Sequence, residues 1–193
     1  MEGREMRRII DIRNFETKDD PYGKLYVEGY ATTFNQPYRM LDDIDIVIDE
    51  QMDRHAFDNV DMSDVIMQYD HEGPVFARTR NKTLVITIDP HGLKIRAYLG
   101  GTENGRKLYE EIKGGYIDRM SLAFRVGKDI RERGKTSDGR PRILRTITKI
   151  QRFYDVSAVS RPANEGTIIY VPTRNDIRKE IIKESIKLTY SSF

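Results

Sequence analysis

Three side chains in this sequence are of the types that acyl transfer uses: Ser121 in "YIDRMSLAFRV", His71 in "DVIMQYDHEGPVFARTR" and Asp155 in "ILRTITKIQRFYDVSAVS". A serine hydroxyl becomes a nucleophile when a base takes its proton, and the base works best when a third group fixes its tautomer. Only three histidines are available as that base. His55 falls in a predicted helix and His91 in a predicted turn. His71 stands where the apolar run Val65 to Tyr69 gives way to Asp70, Glu72, Gly73 and Pro74, a junction that fixes a side chain yet leaves it accessible. Asp155 is a carboxylate inside an otherwise apolar run, so burying it demands a partner, and a histidine N–H would serve. Ser121 alone carries less: a period of two sends Met120, Leu122, Phe124 and Val126 to one side and Ser121, Ala123 and Arg125 to the other, where a serine is ordinary strand filler.

The elements that would position these groups are mostly strands. "RRIIDIRNF" and "GKLYVEGYATTF" are β-rich runs separated by the turn-forming "ETKDDPYG", so a hairpin is predicted to open the fold. "LDDIDIVID" alternates isoleucines with aspartates as a half-buried strand does. Its acids Asp43, Asp45 and Asp49 read as a solvated strand face or, alternatively, as metal ligands. "EQMDRHAFDNV" places Met52, Phe57 and Val60 on one side of a predicted short helix. "TLVITIDPHGLKIRAYL" reads as a hairpin turning through Asp89, Pro90, His91 and Gly92. Thr102 is a predicted N-cap for "ENGRKLYEEIK", which stops at Gly114 and Gly115. "DIRERGKTSDGRPR" is predicted to be a polar loop between two long strands. In the last of these, Asp155, Ser157 and Val159 fall on one side and Val156 and Ala158 on the other. Beyond Pro172, Ile177, Ile181 and Leu188 recur at helical spacing. The organisation expected is a single domain over 1–172 followed by an amphipathic helical tail over 173–193.

Composition narrows the chemistry. At 193 residues, one core plus tails is the expected plan. Thirty-three Lys and Arg against 31 Asp and Glu leave a net charge of +2, which argues against the clustered basic excess of a nucleic-acid binder. With no cysteine, disulfides, thiolate catalysis and cysteine zinc sites are excluded, in keeping with an intracellular setting. The N-terminal "MEGREMRRII" lacks a signal-peptide core, and no run approaches the roughly 18 apolar residues of a membrane span. The "GG" pair is no phosphate cradle, since no G-x-x-x-x-G-K pattern accompanies it.

Over roughly residues 24 to 172 the chain resembles the tailed-bacteriophage prohead (capsid-maturation) serine proteases, distant relatives of the herpesvirus assemblins. The resemblance is carried in order by "VEGYATTFN", "RHAFDN", "MQYDHEGPVFARTR", "DPHGLKIRAYL", "GGYIDRMSLAF" and "DVSAVSRPANEGT". It implies that Ser121 is the nucleophile and His71 the base. The third member follows the serine in such enzymes and is a second histidine in the herpesvirus proteins; this chain offers Asp155 there. Backbone N–H groups of "SRPANEG", Ser160 to Gly166, are oxyanion-hole candidates. Arg161 is another, by analogy with the viral relatives, against its reading as a solvated loop arginine. The implied fold is an α+β protein, a mainly antiparallel β barrel flanked by a few helices. The implied activity is endoproteolysis of scaffold, or of the scaffold-like segment of the major capsid protein, together with self-processing, inside the procapsid in the host cytoplasm. No cofactor, membrane or specific nucleic acid is implied, and the dimeric activation of the herpesvirus relatives makes a homo-oligomer a further expectation. Two rival readings are a metal-dependent nuclease built on Asp42, Asp43, Asp45 and His71, and a non-catalytic capsid or scaffold component in which Ser121 merely lines a groove.

Overall fold

The structure is a computed structural model that describes residues 25–161 and 166–171. The first predicted strand, over 7–15, and the predicted tail over 173–193 lie outside the described residues. Ten strands and one helix are described: β1 (Tyr26–Thr33), β2 (Tyr38–Asp42), β3 (Val47–Met52), β4 (Ile66–Tyr69), β5 (Glu72–Arg78), β6 (Leu84–Ile88), β7 (Gly92–Tyr98), α1 (Glu103–Lys113), β8 (Arg119–Lys135), β9 (Pro141–Val159) and β10 (Ile168–Tyr170).

The strands form a four-stranded sheet, ordered β10-β1-β7-β6, and a six-stranded sheet, ordered β2-β3-β9-β4-β5 with β8 also paired to β9. Among the described residues these sheets do not close into a barrel, and one helix stands where several were expected. Pairing is mainly antiparallel, but β9 runs parallel to both β3 and β4. One apolar cluster joins the sheets through Val27, Leu93, Ile95, Met67, Met120 and Val156, and α1 adds Leu108 and Ile112. Gly29 is where β1 meets β10 most tightly: a Cβ there would lie 2.0 Å from the Ile168 carbonyl oxygen.

The helix begins and ends as its sequence dictates. Thr102 is extended and its Oγ1 accepts from Gly105 N–H at 3.0 Å, while Gly114 N–H returns to the Glu110 carbonyl. The β6–β7 turn is likewise local chemistry, with Asp89 Oδ1 accepting from the N–H groups of His91 and Gly92.

Other expectations give way. The run 41–49 is not one strand: β2 ends at Asp42, Asp43 N–H donates to the Ile46 carbonyl, and Ile44 is 83% exposed at the turn. Residues 54–59 form turns rather than a helix: the backbone bonds are of the three-residue kind, such as Ala56 N–H to the Asp53 carbonyl and Asp58 N–H to the His55 carbonyl, and Asn59 adopts a left-handed φ of 62° that stops propagation. The predicted polar loop over 129–142 is largely strand. β8 continues to Lys135, only a short turn follows, and cross-strand pairs such as Arg145 Nε to Asp129 Oδ2 at 2.6 Å hold the ribbon together.

The β8–β9 ladder is interrupted by bulges. Ala123 pairs with Asp155 but Phe124 pairs with Phe153, so Tyr154 is an extra residue on β9.

Candidate active site

The site is built on β4, β8 and β9 where they run side by side. Ser157 on β9 pairs with Ser121 on one neighbour and with Gln68 on the other; the next row is Ala123, Asp155 and Ile66. Paired residues in a ladder share a face, so Ser121, Ser157 and Asp155 all project from the same side of the sheet. Met120, Met67, Val156 and Ala158 project from the other side into the core, where each is fully buried. Apolar pressure on one face therefore fixes which residues stand on the other.

Asp155 is 5% exposed, and its Oδ1 has two partners. Ser157 Oγ donates to it at 2.8 Å, and His71 Nδ1 lies 2.7 Å away. With its proton on Nδ1 the imidazole donates to this oxygen, leaving Nε2 as the acceptor. Ala123, opposite Asp155, contributes only a methyl group, so the carboxylate has room for the incoming ring. The His71 side chain is 32% exposed, buried on its Asp155 side yet open to solvent.

His71 reaches this position from a two-residue turn between β4 and β5. Tyr69 pairs with Glu72, and Asp70 and His71 between them have φ values of 47° and 62°. Asp70 N–H donates to the Ala158 carbonyl at 3.0 Å, which sets the turn against β9. Gln68 Nε2 donates to the Gly73 carbonyl on the far side.

Ser121 is half-buried, one cross-strand step from Ser157, and it borders an open cleft of about 270 Å³. Ala31, Met40, Leu122, Phe124 and Val126 give the cleft apolar walls. Glu50 and Arg145 stand at its polar end, with Glu50 accepting from Tyr38 Oη at 2.6 Å and from Arg145 at 3.0 Å. Burial first, then the neighbouring Glu50 carboxylate, pushes the Tyr38 phenol far above its ordinary range. Arg161 is exposed in the bend after β9, and of the loop it introduces, 162–165 lie outside the described residues.

Ser157 and Asp70 are the two side chains of this region that motif reading passes over. Alternation along "DVSAVS" does place Ser157 beside Asp155, but nothing local marks it as that carboxylate's donor. Asp70 reads as turn chemistry, and its links to β9 join residues far apart in the chain.

The other polar sequence candidates are placed elsewhere. His55 is exposed with Asp58, and the His91 ring packs edge-on against Tyr30. Asp42 is held at 2.6 Å by both Arg39 and Arg140. Among the described residues no group of three or more His, Cys, Asp or Glu gathers at metal-binding distance.

Residues 13–180 match the sequence model of the caudovirus prohead serine proteases. No curated protein sequence matches this chain. Among solved structures, the crystal structure of KSHV protease in complex with a hexapeptide phosphonate inhibitor is similar at a TM-score of 0.46 and 10% identity, covering 84% of this chain and 76% of that one.

Proposed function

The chain belongs to the caudovirus prohead serine protease family, and from that premise we propose that it cleaves peptide bonds through Ser121, with His71 as general base and Asp155 as the group that orients the imidazole. The observation that carries this is the 2.7 Å approach of His71 Nδ1 to Asp155 on the face of the sheet that also bears Ser121. Ser121 Oγ attacks the scissile carbonyl while its proton passes to His71 Nε2. Collapse of the tetrahedral intermediate breaks the C–N bond, and the leaving amine takes that proton. Water, deprotonated by the same nitrogen, then attacks the acyl ester, and the C–O bond breaks as Nε2 returns that proton to Ser121 Oγ. Asp155 keeps the Nδ1 proton in place and steadies the imidazolium formed in each half-reaction.

The intermediate's oxyanion needs donors fixed in advance. Backbone N–H groups of the segment that follows Ser160, whose own N–H is held by Asp70, are assigned that role, with Arg161 as a charged addition. The substrates are scaffold, or the scaffold-like segment of the major capsid protein, and the enzyme's own chain, within the procapsid in the host cell.

Co-expression with the cognate major capsid protein, read by intact mass, tests this. Wild type yields shortened capsid protein, while Ser121→Ala and His71→Ala each lower cleavage by about 10⁴ to 10⁶. Asp155→Asn loses less but still much. Normal processing by Ser121→Ala ends the reading.

A further inference from the structure

We propose that Asp70 is a positioning residue, a clamp that locks the turn carrying the base against the end of β9; this rests on His71 being the base. Two successive non-glycine residues with left-handed φ, 47° at Asp70 and 62° at His71, form a turn that sequences usually give to Asn-Gly. Such a turn persists when its surroundings hold it from outside.

Asp70 supplies those holds. Its N–H donates to the Ala158 carbonyl at 3.0 Å, its Oδ1 accepts the Ser160 N–H at 2.9 Å, and its Oδ2 accepts the Ser160 hydroxyl at 3.1 Å. Both anchors follow Asp155 on the same stretch of chain. His71 is therefore tied to β9 at its side chain through Asp155 and at its backbone neighbour through Asp70. One carboxylate therefore ties the turn that carries the base to the stretch of chain that carries its partner Asp155. Small misplacements of the base are expensive in rate, because the geometry must be right before the barrier is crossed.

Glycine separates this role from simple turn formation. Asp70→Gly suits the left-handed backbone better than aspartate and deletes the carboxylate; Asp70→Asn keeps an acceptor for the Ser160 N–H. The full-length protein is treated with a fluorophosphonate, the labelled residue is mapped by mass, and inactivation is resolved into kinact and KI beside a thermal melt. Wild type is labelled at Ser121. Asp70→Gly keeps its melting temperature and its KI but loses about tenfold or more in kinact, while Asp70→Asn stays within about threefold of wild type. A labelled wild type with kinact for Asp70→Gly within about twofold overturns the clamp alone. Absence of label on wild-type Ser121 overturns the nucleophile assignment and the clamp with it. If Asp70→Gly does not fold, Ser160→Ala, which removes only the hydroxyl contact, decides the matter: a lowered kinact supports the clamp and an unchanged one overturns it.

Discussion

Ser157 is wholly buried, yet its hydroxyl is spent on the Asp155 oxygen that also faces His71. Two donors on one oxygen hold the carboxylate plane still, which a single donor would not. Ser157→Ala removes one donor from a buried carboxylate without adding bulk. Hydrogen bonds to charged groups contribute about 1.5–3 kcal/mol, so we expect roughly a tenfold to hundredfold loss in fluorophosphonate inactivation rate. A rate equal to wild type, in protein that melts normally, would show that the second donor is idle. The types and surroundings of Ser121, His71 and Asp155 were legible in the sequence because each interrupts a pattern: a hydroxyl or an acid within an apolar run, an imidazole at a strand's end. Their spatial relation was not, since His71 and Asp155 are 84 positions apart and meet only because β4 lies parallel to β9.

At the scale of elements, β1 is pinned on both edges. Gly29→Ala places a methyl group against backbone rather than a pliable side chain, and β10 must move away from β1 to admit it. Overpacking of this kind costs about 1–3 kcal/mol, and we expect a lower urea midpoint with the denaturant slope preserved.

On the other edge of β1, Tyr30 Oη donates to Asp89 in the β6–β7 turn at 2.6 Å. Burial first, then that hydrogen bond and the carboxylate's charge, push the phenol up to about 12. An acid with a raised folded pKa binds its proton more tightly when folded, so its contribution is complete below the unfolded value of about 10 and is lost as pH rises toward the folded value. Chemical denaturation between pH 9 and pH 12 should thus show falling stability, with a shallower fall in Tyr30→Phe; equal slopes would discard the account.

Elements set by local grammar, such as α1 with its Thr102 cap and the β6–β7 hairpin with its Asp89 turn, could be read directly. The arm of β8 and β9 could not, because charged residues that look like loop become strand once a partner lies alongside.

Over the whole molecule, β9 is the common member: β8 runs along one side, and β3 and β4 along the other. The core side of the site strands is closed by Met120 and Met67, both fully buried. Met120→Ala should lower stability by about 2–5 kcal/mol through a cavity directly behind Ser121, measured as a lower thermal midpoint. Inactivation of Ser121 should fall along with it, since the strand's facing depends on that packing; loss of stability with unchanged reactivity would uncouple the two.

Global arrangement was the least legible level. Strand order depends on which distant edges meet, and a period of two cannot foresee an unpaired residue within a strand. Tyr154 is one such residue, immediately before Asp155. Facing inverts with each residue counted along a strand, so an extra one at this position resets the parity just ahead of the row that holds Asp155. Phe153 and Asp155, two positions apart, therefore stand on opposite faces: the ring packs into the core and the carboxylate meets His71.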